Sequence, residues 1–290
     1  YPLAKLLSKR RAPIAKNIYK EIGNKSPILE LTQDQAKSLE NNLSEKGDYK
    51  CFVVMRCWNP RATDVIKKVR EYNPNEIILL PLYPQYSAST SGSSIKEWND
   101  LCKSENYKVK TKTICCYPTE NNFIESHVHL IKKIIKNLEN KNFKLLFSAH
   151  GLPKNKIKKG DPYQWQIEQT VEGIMSKLTN ENLDYIISYQ SRVGPLKWIG
   201  PSTDEVIIKY SKEKKGIVIV PIAFVSEHSE TLVELDIEYK KLAEKNGCSF
   251  YKRVPALGVE ENFIKGLTEL VLQKEISGNF VSSVICPNKY

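Results

Sequence analysis

The 290-residue chain contains no run of eighteen or more apolar residues, so nothing in it reads as a membrane span. Its first residues, Tyr1-Pro2-Leu3-Ala4-Lys5, carry no secretory apolar region and no initiator Met, which points to a fragment or a processed form. The seven cysteines (Cys51, Cys57, Cys102, Cys115, Cys116, Cys248 and Cys286) are odd in number and include no CxxC pair. Zinc spacing is therefore missing, and reduced thiols of a cytosolic protein are expected. No GxxxxGK[ST] loop, low-complexity tract or close internal repeat is present. The charge is lopsided: 44 basic against 33 acidic side chains give +11. An anionic partner is compatible with that balance. The lysines are scattered, however (Lys67, Lys68, Lys132, Lys133, Lys136, Lys214, Lys215, Lys240, Lys241), and no RNA- or DNA-binding motif accompanies them. Nucleic acid is therefore not expected as a partner.

What is present is alternation. Apolar runs at 49–55, 76–82, 107–115, 143–147, 184–189, 217–224 and 249–254 read as strands. Helical patterns lie between them at 62–72, 95–104, 122–140, 163–178, 203–213, 228–246 and 261–276. Such βαβ alternation predicts parallel sheets with helices on both faces. Two successive sets predict two similar doubly wound, Rossmann-like lobes with a cleft between them. The first lobe covers residues 1–140 and the second 141–290, linked through the Asn/Lys-rich stretch 137–142, with the closing helix packing back on the first lobe.

Three strand ends carry chemistry, and in open α/β sheets ligands bind beyond the carboxyl ends of strands. The first, Tyr83-Pro84-Gln85-Tyr86-Ser87 with the hydroxyl-rich residues to Ser94, resembles an anion-binding loop ahead of a helix N-terminus. A plain capped connection is the alternative. The second is His150, directly after an apolar strand. The third is the segment from Pro221 to Tyr239, where Glu230, Glu234 and Glu238 fall four apart with His228 at the start. On an α-helix that spacing sets three carboxylates on one face, with Leu232, Leu235 and Ile237 opposite. Like charges so placed weaken a helix, so they are expected to bind a cation or move protons, a solvated face being the alternative. One rim would hold both His150 and Glu230. Imidazole with carboxylate suits divalent iron, zinc or manganese, and so small a ligand set fits a site that passes metal on. His127 and His129, beside Lys132 and Lys133, read as surface or packing residues.

At these residues the chain resembles the ferrochelatases, lyases that insert Fe(II) into protoporphyrin IX in the last step of haem biosynthesis. The likeness runs from about Leu7 to Leu270. It is carried by Tyr83-Pro84-Gln85-Tyr86-Ser87, Phe147-Ser148-Ala149-His150-Gly151-Leu152-Pro153, Gly160-Asp161-Pro162-Tyr163, Gln190-Ser191-Arg192-Val193-Gly194-Pro195, Trp198-Ile199-Gly200-Pro201 and Pro221 through Tyr239. The resemblance implies His150 and Glu230 as the iron site, facing each other across the porphyrin, with His228, Glu234 and Glu238 as the rest of a conduit on a helix of partly π type. It implies Arg10, Arg11 and Arg56 as basic residues toward the propionates, and Tyr83, Ser87 and Trp198 as cleft lining.

By the same likeness, Fe(II) and protoporphyrin IX are substrates and no prosthetic group is expected. Ala88 stands where some members carry a cluster cysteine and Cys286 is alone near the C-terminus, so no [2Fe–2S] cluster is expected. The family's first strand and Gly-containing lip precede the point where this sequence starts, so the first lobe is expected to lack a strand. A cytoplasmic monomer is favoured, with loose peripheral docking at the inner membrane left open. The alternatives are a chelatase for another metal or tetrapyrrole, and a porphyrin or haem carrier without catalysis.

Overall fold

The computed structural model describes residues 9, 12–13, 15–139, 142–192, 194–273 and 280–282. Its strands form two parallel sheets. In the first, β1 (Glu76–Leu79), β2 (Lys110–Cys116) and β7 (Phe280–Ser282) lie in the order β1-β2-β7. In the second, β3 (Phe143–His150), β4 (Tyr185–Gln190), β5 (Gly216–Pro221) and β6 (Tyr251–Arg253) lie in the order β4-β3-β5-β6. Helices α1 (Ile28–Leu43), α2 (Ala62–Tyr72), α3 (Ser91–Ser104), α4 (Asn121–Ile135), α5 (Lys154–Lys158), α6 (Tyr163–Ser176), α7 (Thr203–Lys212), α8 (Tyr239–Lys245) and α9 (Glu261–Leu272) connect or cover them. No helix among the described residues is long and apolar enough to cross a membrane.

The central strands explain why the second sheet is the firmer frame. Every residue of β5, and every residue of β3 before His150, is buried. A strand covered on both faces reads as a continuous apolar run, as these do. Each of Leu145, Leu146 and Phe147, fully buried, contributes about 1.5–3 kcal/mol. The main apolar cluster runs from Ile114 and Tyr117 beside the first sheet, through Phe123 of α4 and Phe263 of α9, to Phe147 and Val220 in the second. The closing helix α9 packs on α4 and α1. It does so at Gly266, where a Cβ would come within 2.3 Å of the Glu120 carboxylate that caps α4.

Several boundaries differ from the sequence reading. Segment 51–55 takes no regular secondary structure and pairs with no strand among the described residues. Its backbone turns elsewhere: Cys51 N–H donates to Glu40 at 2.8 Å and Met55 N–H to the Pro60 carbonyl at 2.8 Å. Helix α3 starts at Ser91, inside the stretch expected to be loop. The first sheet takes β7 from near the C-terminus, a strand not anticipated. The expected lobe boundary, between residues 140 and 141, lies outside the described residues.

Candidate active site

Parallel register builds the site. Ser148 on β3 pairs with Pro221 at the end of β5, and Ile222 N–H donates to the Ser148 carbonyl at 3.1 Å. His150, two residues further along β3, therefore stands beside the chain as it leaves β5. That chain turns through 222–229 and enters a π-helix, Glu230–Glu238. The wide turn changes which residues face inward. Thr231, Val233 and Leu235 are buried, whereas Leu232 and Ile237, expected on an α-helical apolar face, are half-exposed.

His150 Nδ1 lies 3.0 Å from Glu230 Oε2, with side chains 43% and 36% exposed. Burial alone would lower the His150 pKa, but the hydrogen bond and charge of Glu230, with the charge of Glu234, outweigh it and raise the value above the ordinary one. Burial pushes Glu230 the opposite way, toward protonation; the His150 hydrogen bond and charge, aided by His228, more than reverse this and hold the carboxyl low. The pair is thus mutually stabilised in its charged form. When the imidazole is neutral, an Nδ1–H donated to Glu230 leaves the Nε2 lone pair free to accept a proton or bind a cation.

His228 plays a different part. Its Nδ1 accepts the backbone N–H of Glu230 at 3.1 Å, and its ring meets Phe224 edge to face at 4.7 Å. Burial lowers its pKa, which the nearby Glu230 and Glu227 only partly offset. A neutral ring accepting at Nδ1 is the result, and it fixes the first turn of the π-helix.

Glu234 accepts four hydrogen bonds, from Gln190 Nε2 (3.1 Å), Ser191 N (3.0 Å), Ser191 Oγ (2.6 Å) and Tyr239 OH (3.0 Å). Glu238 is exposed. Tyr83, 38% exposed, comes from the end of the first sheet. Burial raises its pKa first, Cys57 and Glu230 adding and Arg56 opposing, so Tyr83, Arg56 and Glu230 share one electrostatic environment. Trp198 packs against Gly151, the residue after His150: a Cβ there would meet Trp198 at 3.3 Å and the Gln190 carbonyl at 2.9 Å. Only glycine permits that approach.

The ferrochelatase family model matches residues 1–275. The chain is 64% identical to the ferrochelatase of Pelagibacter ubique (strain HTCC1062) over 297 residues, covering 100% of this chain and 86% of that protein. It is 48% identical to the Rickettsia felis ferrochelatase over 298 residues, at 100% and 85% coverage. The chain belongs to the ferrochelatase family. Among solved structures, SirB from Bacillus subtilis with Fe3+ superposes with a TM-score of 0.59 at 16% identity, covering 83% of this chain and 88% of that one. The cobalt complex of sirohydrochlorin chelatase SirB from B. subtilis subspecies spizizenii gives 0.55 at 13% identity, covering 82% and 86%. These two likenesses show the chelatase fold.

Two expectations drawn from the ferrochelatase resemblance change on the structure. A ring between His150 and Glu230 does not fit as they stand, because the two groups are in hydrogen-bond contact. Ser87 does not line the cleft: it is 2% exposed and donates to Asp161 at 2.9 Å, which also accepts Ala88 N–H at 2.9 Å. Arg56 stands 3.6 Å from Glu97, which also holds Arg61 at 2.7 Å. It borders an open groove of about 600 Å³ with Thr63, Ser93 and Lys96. Arg10 and Arg11 lie outside the described residues. No group of three or more His, Cys, Asp or Glu among the described residues is set to hold a metal. His150 and Glu230 are two donors that could share one cation, a pair suited to passing cargo rather than keeping it. Sequence reading missed the partners that fix this ferrochelatase site: Asp161, Gln190, Ser191, Asp236, Tyr251 and Arg253. Asp161, Gln190, Ser191 and Asp236 fall within quoted motifs, which was the available signal.

Proposed function

We propose that this chain is a ferrochelatase that inserts Fe(II) into protoporphyrin IX and releases two protons. The observation that carries the reading is the His150–Glu230 pair, half-exposed at the rim where β3 ends and the π-helix begins, 3.0 Å apart. Insertion replaces two pyrrole N–H bonds with bonds to one divalent ion, so a base must take protons while a cation arrives. His150 supplies the base at Nε2, its basicity raised by the hydrogen bond and charge of Glu230. Glu230 orients the imidazole and balances the charge that each proton brings, as carboxylate partners of histidine do. It also offers a carboxylate to the approaching cation. The macrocycle must be bent before metal enters, and binding energy from the cleft can supply that strain. Tyr83, Trp198 and Arg56 are the flat and basic surfaces assigned to it.

The deciding experiment is an anaerobic assay of Fe(II) and Zn(II) incorporation into protoporphyrin, followed by absorbance, alongside a panel of cobalt and nickel and other tetrapyrroles. Incorporation of Fe(II) into protoporphyrin above the other pairs is expected. Tight porphyrin binding without incorporation, or preference for another tetrapyrrole, overturns the reading.

A further inference from the structure

A π-helix is rare and less favourable than an α-helix, and nine residues of it need outside support. That support has a specific source on the edge strand β6. Arg253 Nε and Nη2 each donate to the Asp236 carboxylate at 2.7 Å, a two-pronged contact inside the π-helix. Arg253 Nη1 donates to Glu227 at 2.9 Å, three residues before the helix opens. The same Glu227 oxygen accepts Ala256 N–H at 2.9 Å. Two residues earlier on the same strand face, Tyr251 OH donates to the Leu235 carbonyl at 2.7 Å. Arg253 is 10% exposed, so these contacts are little screened. One guanidinium thus grips the chain on both sides of His228 and Glu230.

We infer that Arg253 is a positioning residue for metal insertion: with Tyr251 it holds the wide turn open so that the Glu230 carboxylate meets His150. The fork geometry matters, because the guanidinium presents two donors to Asp236 and a third to Glu227, a pattern a compact ammonium does not match. This rests on the reading of His150 and Glu230 as the reacting pair.

The test compares wild type, Arg253→Met, Arg253→Lys and Tyr251→Phe in the full chain. Zn(II) insertion gives kcat and the porphyrin KM, and hydrogen exchange follows the amides of residues 230–238. Arg253→Met is expected to lower kcat on the order of 100-fold, the cost of misplacing a group by about 1 Å. Its porphyrin KM stays within about twofold of wild type and exchange at 230–238 quickens. Arg253→Lys recovers part of both losses, and Tyr251→Phe shows a smaller loss of each. If Arg253→Met does not fold, the lysine and phenylalanine variants decide. Wild-type kcat with wild-type exchange in the folded variants overturns the inference. Faster exchange in variants of a wild type that inserts no metal would instead sink the proposed reaction and leave the brace standing.

Discussion

Two acids on one short helix stand in opposite circumstances. Among the described residues Glu230 has one side-chain partner, His150, and a half-exposed carboxylate. Glu234, one step along, accepts four hydrogen bonds from Gln190, Ser191 and Tyr239. Asp236 is likewise claimed by Arg253. A carboxylate with open acceptor capacity can take a proton or a cation. One whose lone pairs are filled must first break charge-assisted bonds, each worth about 1.5–3 kcal/mol. The acidic row that looks uniform in sequence is divided in space between an acid with open acceptor capacity, the one we propose reacts, and acids that fasten.

The most damaging change should fall on the partner of the free acid. His150→Ala removes the base and is expected to lower insertion by about 10²–10⁴-fold while porphyrin still binds, as fluorescence quenching would report. Near-normal turnover would show that the free pair is not where protons go.

Glu230→Gln comes next, at roughly 10–100-fold. Removing the carboxylate takes away the hydrogen bond and charge that raise the His150 pKa. Activity needs neutral His150, so it fails as pH falls through that pKa. In the variant this acidic limb should move to lower pH. The ion pair's contribution to stability is present below the ordinary histidine pKa and fades as pH rises through the raised one. At the acid end it fades as pH falls through the lowered Glu230 value. The melting difference between wild type and variant should therefore be greatest between those limits and shrink on either side. A limb that stays in place would mean that His150 does not report the catalytic base.

Glu234→Gln is expected to invert the pattern. It costs stability, on the order of 1–3 kcal/mol, because an amide nitrogen now faces donors. It costs less activity than Glu230→Gln. Thermal melting beside kcat separates the two, and a larger kcat loss than in Glu230→Gln would erase the distinction.

The sequence was informative wherever one element decides the outcome alone. Phe143 to Ala149 and Gly216 to Pro221 are apolar runs long enough to announce buried parallel strands, and the histidine that follows the first was legible as a rim residue. Segment 51–55 has a similar run yet forms no ladder among the described residues, because a strand also needs a neighbour. The π-helix shows the same limit. Spacing of four reads as an α-helical face, and only packing revealed that Thr231, Val233 and Leu235 turn inward. Ser87 looked like a cleft hydroxyl until Asp161, 74 residues away, was found to claim it. The division among the acids was hidden for the same reason, since Gln190, Ser191 and Arg253 arrive from other strands.

The smallest effect is expected at Glu238, and it tests the comparison from the other side. Glu238 shares the spacing of the row but is exposed at the end of the π-helix and has no hydrogen-bond partner among the described residues. It neither touches His150 nor fastens a strand. An exposed side chain of that kind changes stability by no more than about 0.5 kcal/mol when replaced, so Glu238→Gln should match wild type in melting and insert Zn(II) at nearly the wild-type rate. If cations or protons instead travel along the whole acidic row, removing its outer charge would slow turnover at low metal concentration while leaving porphyrin KM alone. A deficit as deep as that of Glu230→Gln would mean that the row works as one path and that the filled acids open during turnover.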